Sequence, residues 1–142
     1  MYYIREVDAS DDDIAETIQT FNRETAEFPP LTDSELDGGF WWLAYCGFEP
    51  VAFAGLVPSS QYHGVGYFKR AGVTPAHRGN GLQIRLMRVR INKARKLGYS
   101  HIVSECTETV YSGNNFIRAG FKLYEPTRPW AFRNSLYWIK AL

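Results

Sequence analysis

The stretch that most constrains this chain runs Gly72-Val73-Thr74-Pro75-Ala76-His77-Arg78-Gly79-Asn80-Gly81-Leu82-Gln83-Ile84-Arg85-Leu86-Met87. It opens as a strand, breaks at Pro75, passes two glycines and takes up helical spacing through Leu82, Leu86 and Met87. A strand must therefore feed through a tight loop straight into a helix. The first turn of a helix leaves backbone N–H groups without intrahelical partners, and the helix dipole makes that end electropositive. The glycines keep side chains away, so a ligand can approach the backbone closely. The stretch predicts an anion cradle, with phosphate as its usual occupant.

The rest of the sequence predicts elements that support this turn. Tyr2 to Val7 reads as a strand, and Ser10-Asp11-Asp12-Asp13 supplies cap candidates and first-turn acids for a helix of about Asp11 to Asn22. Arg23 to Gly39 reads as irregular, apart from a helix-like Thr32-Asp33-Ser34-Glu35-Leu36. Strands are expected at Phe40 to Tyr45, Val51 to Val57 and Val65 to Val73. The helix after the loop, about Leu82 to Leu97, stops at Gly98. His101 to Cys106 is a further strand, Ser112 to Ala119 a short helix, and Phe121 to Tyr124 and Ser135 to Lys140 the last strands. Hairpins in the middle and βαβ units later predict an α+β or mixed α/β fold: one mixed sheet of about seven strands with helices on both faces. The 142 residues suit a single domain, 1–142.

The apolar runs Phe40 to Cys46 and Val51 to Val57 are too short to cross a bilayer, and Met1 to Glu6 has no basic-then-apolar pattern. Cys46 and Cys106 form no close-spaced motif, so a cytoplasmic protein with free thiols and no metal is expected. Charge is segregated. Residues 1–49 carry twelve acids and two bases, residues 50–142 three acids and fourteen bases, and Lys69 to Ser104 nine bases and no acid. Such a field draws a polyanion to the middle of the chain and a cation to its N-terminal part.

A nucleotide-binding P-loop needs Gly-Lys-Ser/Thr, but Leu82-Gln83 follows Gly81. A dinucleotide fingerprint needs a third glycine, and Ile84 stands there. What remains is Val73-Thr74-Pro75, then Arg78-Gly79-Asn80-Gly81-Leu82-Gln83, then a long amphipathic helix. This resembles the pyrophosphate loop of the GNAT superfamily of acyl-CoA-dependent N-acetyltransferases, Arg/Gln-x-x-Gly-x-Gly/Ala after Val-x-Pro. Gln83 occupies the last position in place of Gly or Ala. The family's second signature, Tyr-x-x-x-Gly-Phe, is matched in spacing by Phe116-Ile117-Arg118-Ala119-Gly120-Phe121, with Phe116 in the tyrosine place. The order of elements agrees along essentially the whole chain.

The resemblance implies a GNAT-like sheet splayed between strands four and five. It also implies acetyl-CoA as co-substrate and direct transfer of the acetyl group to a primary amine of a small molecule or protein. Arg78, Gly79, Asn80, Gly81, Leu82 and Gln83 are then the pyrophosphate residues, Gly72 and Val73 line the pantetheine arm, and Asn114 is a further cofactor contact. Lys69, Arg70, Arg85 and Arg118 are candidates for the 3′-phosphate. Transfer to an amine needs a base to take a proton from the ammonium. Glu105, at a strand end beside the implied splay, is the candidate, and His63 is a loop alternative. Tyr111 is the nearest hydroxyl to the missing tyrosine. The implied acceptor site lies between Asn22 to Gly39 and Pro126 to Asn134. The first segment offers an acidic wall (Glu24, Glu27, Asp33, Glu35, Asp37) suited to a cationic amine, and the second offers Trp130 and Phe132 as an apolar or cation–π wall. Two other classes stay open. One is a non-catalytic acyl-CoA-binding module, prompted by Phe116. The less favoured is a nucleic-acid-binding protein using Lys69 to Lys96. No membrane partner is expected, and a homodimer is compatible with the sequence.

Overall fold

The computed structural model describes residues 1–26, 29–107 and 110–142, with side chains at all of these except Ala26, Val110 and Tyr111. The elements are β1 (Tyr2–Val7), α1 (Asp12–Phe21), a π-helical turn (Asn22–Ala26), α2 (Asp33–Asp37), β2 (Phe40–Cys46) and β3 (Glu49–Pro58). They continue with β4 (Val65–Val73), a 3-10 turn (Pro75–His77), α3 (Leu82–Lys96), β5 (His101–Cys106), α4 (Val110–Arg118), β6 (Lys122–Tyr124) and β7 (Leu136–Ala141). The strands form one seven-stranded sheet in the order β1-β2-β3-β4-β5-β7-β6, in which β4 and β5 are the parallel pair.

Local chemistry sets the helix starts. The Asp11 carboxylate accepts from the N–H groups of Asp13 and Ile14 and so starts α1. Thr32 and Glu35 form a reciprocal capping box on α2. The expected irregular segment after α1 begins as a π turn in which the Thr25 hydroxyl donates back to the Phe21 carbonyl, 2.6 Å away. The helix expected at Ser112 begins earlier, at Val110, so Asn114 lies a turn inside α4 and is not a cap.

Alternation along the strands divides the core into two layers. Trp42, Ala44, Ala52 and Ala54 face α3 and α4 together with Leu86, Ile91, Phe116 and Trp138. Trp41, Leu43 and Phe53 point the other way, against Ile18 and Phe21 of α1 and Leu36 of α2. Helices thus cover both faces of the mixed sheet.

Two irregularities in β4 open a gap in the sheet. Ala54 pairs with Ala71 but Leu56 pairs with Phe68, so β4 carries one extra residue opposite Gly55. Such a bulge bends the strand. Arg90 of α3 reaches it: its Nη1 donates to the Gly55 carbonyl at 3.2 Å, and its guanidinium lies 3.8 Å from the Phe68 ring centre. Arg90 is 2% exposed, and burial pulls its pKa down to about 9. The second irregularity is that β4 and β5 pair only at Val65–His101, Gly66–Ile102 and Tyr67–Val103. Beyond Tyr67 the strands part, and the Ser104 hydroxyl closes the last contact by donating to the Phe68 carbonyl at 3.2 Å. The expected splay between strands four and five is present.

Candidate functional site

The glycine loop stands at the open end of this split. Gly79 and Gly81 adopt left-handed φ angles of 80° and 75°. An added Cβ at Gly79 would meet nothing within 4 Å, so the glycines answer to backbone conformation and leave the space in front of the loop clear. Gly81 is the N-cap of α3 and brings no side-chain cap. The Arg85 N–H donates to the Gly81 carbonyl, which leaves the amides of Leu82, Gln83 and Ile84 as the first-turn donors of α3. Side chains brace the loop from behind. Arg78 Nε donates to the Val73 carbonyl (3.1 Å), and Asn80 Nδ2 donates to the His77 carbonyl (3.0 Å). His77 Nδ1 pairs with the Tyr2 hydroxyl at 2.9 Å, and Arg85 Nη2 donates to the Tyr2 carbonyl. Leu82 is buried and Gln83 half-buried, so both would serve a ligand through their amides.

The antiparallel ladder decides which β4 amides face the split. Thr74 N–H donates to the Val51 carbonyl, so residues 74 and 72 turn their N–H groups toward β3. Ala71 and Val73 therefore turn theirs to the side where β5 has departed. Gly72, expected beside Val73, also has a packing role. A Cβ there would lie 1.9 Å from Thr25 Oγ1, so its lack of a side chain lets the π turn settle onto the sheet.

Glu105 sits two residues beyond the last β5 partner of β4. The half-buried Tyr67 donates its hydroxyl proton to Oε1, and Trp130 Nε1 donates to Oε2 at 3.0 Å. Burial, then the Glu105 charge and hydrogen bond, push the Tyr67 pKa far above its usual value, while the Arg70 charge pulls the other way. Tyr67 is thus a fixed proton donor that orients the carboxylate. Around it lie Tyr62, Tyr124 and Tyr137. The Tyr124 hydroxyl is also held protonated, by burial first and then by its hydrogen bond to Tyr62.

Phe116 is 4% exposed, stacked on Trp138 at 5.4 Å and edge-on to Phe121 at 5.1 Å. It belongs to the core layer beneath the split. The Tyr111 side chain and Glu27 lie outside the described residues. Asn114 and His63 are exposed. The expected acidic wall is divided. Glu35 pairs with Lys69 at 2.7 Å, whereas Glu24 lines an open groove of about 500 Å³ with Asp13, Glu16, Glu49 and Thr74. The basic run is dispersed too: Arg90 is interior, and Lys69 and Lys93 are paired with Glu35 and Glu6. Both cysteines are free. Among the described residues, no helix is long and apolar enough to cross a membrane, and no cluster of three His, Cys, Asp or Glu could hold a metal.

Sequence reasoning missed Tyr67, the Tyr62–Tyr124–Tyr137 set and the pairing of Trp130 with Glu105. Strand alternation carried one available signal: Tyr67 and Glu105 lie on adjacent parallel strands, at and just past the point where pairing ends.

Residues 6–121 match the sequence profile of the acetyltransferase (GNAT) family. No curated protein matches the chain in sequence. Solved structures resemble it in fold. An acetyltransferase from Bacillus subtilis in complex with CoA is 14% identical, with a TM-score of 0.78 over 100% of this chain and 99% of that one. A GNAT family acetyltransferase from Elizabethkingia anophelis with acetyl-CoA bound is 15% identical, with a TM-score of 0.75 over 99% and 98%. An IAA acetyltransferase from Bacillus cereus is 11% identical, with a TM-score of 0.78 over 100% of both chains.

Proposed function

Because the chain belongs to the acetyltransferase (GNAT) family, we propose that it takes the acetyl group of acetyl-CoA and transfers it directly to a primary amine. One observation carries this reading. The split between β4 and β5 has donor-rich backbone at its mouth and a doubly hydrogen-bonded carboxylate, Glu105, along its side. In this reading the loop from Arg78 to Gln83 and the α3 dipole hold the pyrophosphate, through amides beyond that of Arg78, which donates to the Pro75 carbonyl. The Ala71 and Val73 N–H groups, turned into the split, hold the pantetheine arm and steady negative charge developing on the thioester oxygen.

Glu105 takes a proton from the acceptor's ammonium, and the freed amine attacks the thioester carbon. The carbon–sulfur bond then breaks and the sulfur departs as thiolate. A thiol of pKa about 8.5 leaves without a dedicated acid, which accords with a buried phenylalanine at position 116.

Thermal shift with acetyl-CoA, CoA and dephospho-CoA tests the cofactor half. Stabilisation by the first two is expected, and its absence with all three overturns the proposal. Gly81→Glu places bulk and negative charge in the cradle and should abolish the shift, measured against the variant's own melting point. CoA release with a panel of amines tests transfer. Phe116 also fits a non-catalytic acyl-CoA-binding module, whose signature is tight binding with no release of CoA in the presence of any amine.

A further inference from the structure

Four aromatic rings close a circuit over Glu105. Tyr62 and Trp130 meet edge to face with centroids 6.4 Å apart, Trp130 and Tyr137 at 4.7 Å, and Tyr137 and Tyr124 at 6.5 Å. The circuit returns through the Tyr124 and Tyr62 hydroxyls, 3.4 Å apart. Two of the rings are pinned: the Ala131 N–H donates to the Tyr137 hydroxyl at 2.8 Å, and the Trp130 indole donates to Glu105. Tyr62 lies on the loop between β3 and β4 and is 37% exposed, so the circuit is open to solvent on that side.

We propose that this circuit is the acceptor pocket and that it selects a monoamine with an apolar body, an alkyl- or arylalkylammonium, over a polyamine or aminoglycoside-like polycation. The proposal rests on the acetyl-transfer reading and narrows its substrate. An ionised carboxylate has about four lone-pair positions. Tyr67 and Trp130 use two, and the others are left for one ammonium. Aromatic walls stabilise a cation and bury an apolar chain at once. A second ammonium would be poorly placed. The charged side chains of β4 nearest to it, Lys69 and Arg70, are themselves cations, and the Glu35 carboxylate is already engaged by Lys69. Among the described residues, a cluster of acids suited to a polycation, Asp13, Glu16, Glu24 and Glu49, lines a groove against α1.

The test measures kcat/KM from CoA release at saturating acetyl-CoA, with 2-phenylethylamine, hexylamine, spermidine and a lysine-containing tetrapeptide as acceptors. The two monoamines should exceed spermidine and the peptide by about tenfold or more. Trp130→Ala should remove that preference through the KM of the monoamines and leave the acetyl-CoA thermal shift intact. Trp130→Phe, which keeps the ring, should retain the preference even if kcat falls. Equal values across the panel, or preference for spermidine or the peptide, overturn the proposal while the acetyl-transfer reading stands. A lost acetyl-CoA shift in the unmodified protein overturns both.

Discussion

Glu105→Gln separates the role of the carboxylate from its surroundings. Both partners of Glu105 are donors, the Tyr67 hydroxyl and the Trp130 indole N–H. A carboxamide offers one acceptor oxygen and one NH2. The indole cannot accept, so the amide oxygen must face Trp130. The Tyr67 hydroxyl can reverse and accept from the NH2, because a hydroxyl both donates and accepts. The site thus keeps its shape and loses its base. Each hydrogen bond drops from the charge-assisted range of roughly 1.5–3 kcal/mol to about 0.5–1.5 kcal/mol, so stability should fall by about 1–3 kcal/mol. Loss of a positioned general base should lower kcat by about 10²–10⁴, equivalent to roughly 3–5 kcal/mol in the barrier. Urea unfolding gives the first quantity and CoA release at saturating acetyl-CoA gives the second. A folded variant with kcat within about threefold of the parent would refute Glu105 as the base.

Gly72→Ala brings a Cβ to 1.9 Å from Thr25 Oγ1 and 2.7 Å from Thr25 Cβ, so rotating Thr25 does not relieve the clash. A loss of about 1–3 kcal/mol is expected, largely recovered in the Gly72→Ala/Thr25→Gly double variant by the same unfolding assay. At Arg90, truncation to Ala should cost about 3–5 kcal/mol through the cavity and the stranded Gly55 carbonyl. Methionine fills the space and removes a buried charge, so Arg90→Met should stay within about 2 kcal/mol of the parent, with melting temperatures deciding the order. Tyr67 gives a pH dependence. Its unfolded form ionises near 10.0 while the folded hydroxyl stays protonated well above that, so its contribution is present below pH 10 and lost as pH rises. The stability of the parent relative to Tyr67→Phe should therefore decline by about 1.4 kcal/mol per pH unit above pH 10, and a constant difference between pH 9 and pH 11 would contradict the assignment.

Local patterns were legible. The strand, proline, paired glycines and amphipathic helix around Gly72 to Met87 stand together in the sequence, and the structure gives them that form. The capping box on α2 was visible as Thr32 with Glu35. Nonlocal features were not. Arg90 sits three and four residues from Met87, Leu86 and Ala94, all buried, so the helix carries this basic residue into the interior. What makes that position tolerable is a bulge in a different strand, which a single-element reading does not contain. The same holds for Glu105. Its type and place at a strand end drew attention, but its partners come from β4 and from the segment between β6 and β7. Trp130 stood out in the sequence as an acceptor wall, but its pairing with Tyr137 exists only once β7 inserts between β5 and β6.

That strand order has a consequence for how the site comes into being. β2 to β4 form a meander of neighbouring antiparallel pairs joined by short loops, and β1 pairs with β2 across the segment that carries α1 and α2. β5 and β6 do not pair with each other; β5 has β4 on one side only, and its other edge and β6 must wait for β7. Vectorial synthesis therefore delivers the phosphate loop and the meander first and leaves Glu105 without its β6–β7 neighbours until the strand carrying Tyr137 emerges. During that interval β5 is an open edge beside an already folded half. Refolding should then show the surroundings of Glu105 as the slowest-forming part of the molecule, reported by the slow tryptophan fluorescence change that Trp130→Phe removes, after the meander's secondary structure has formed.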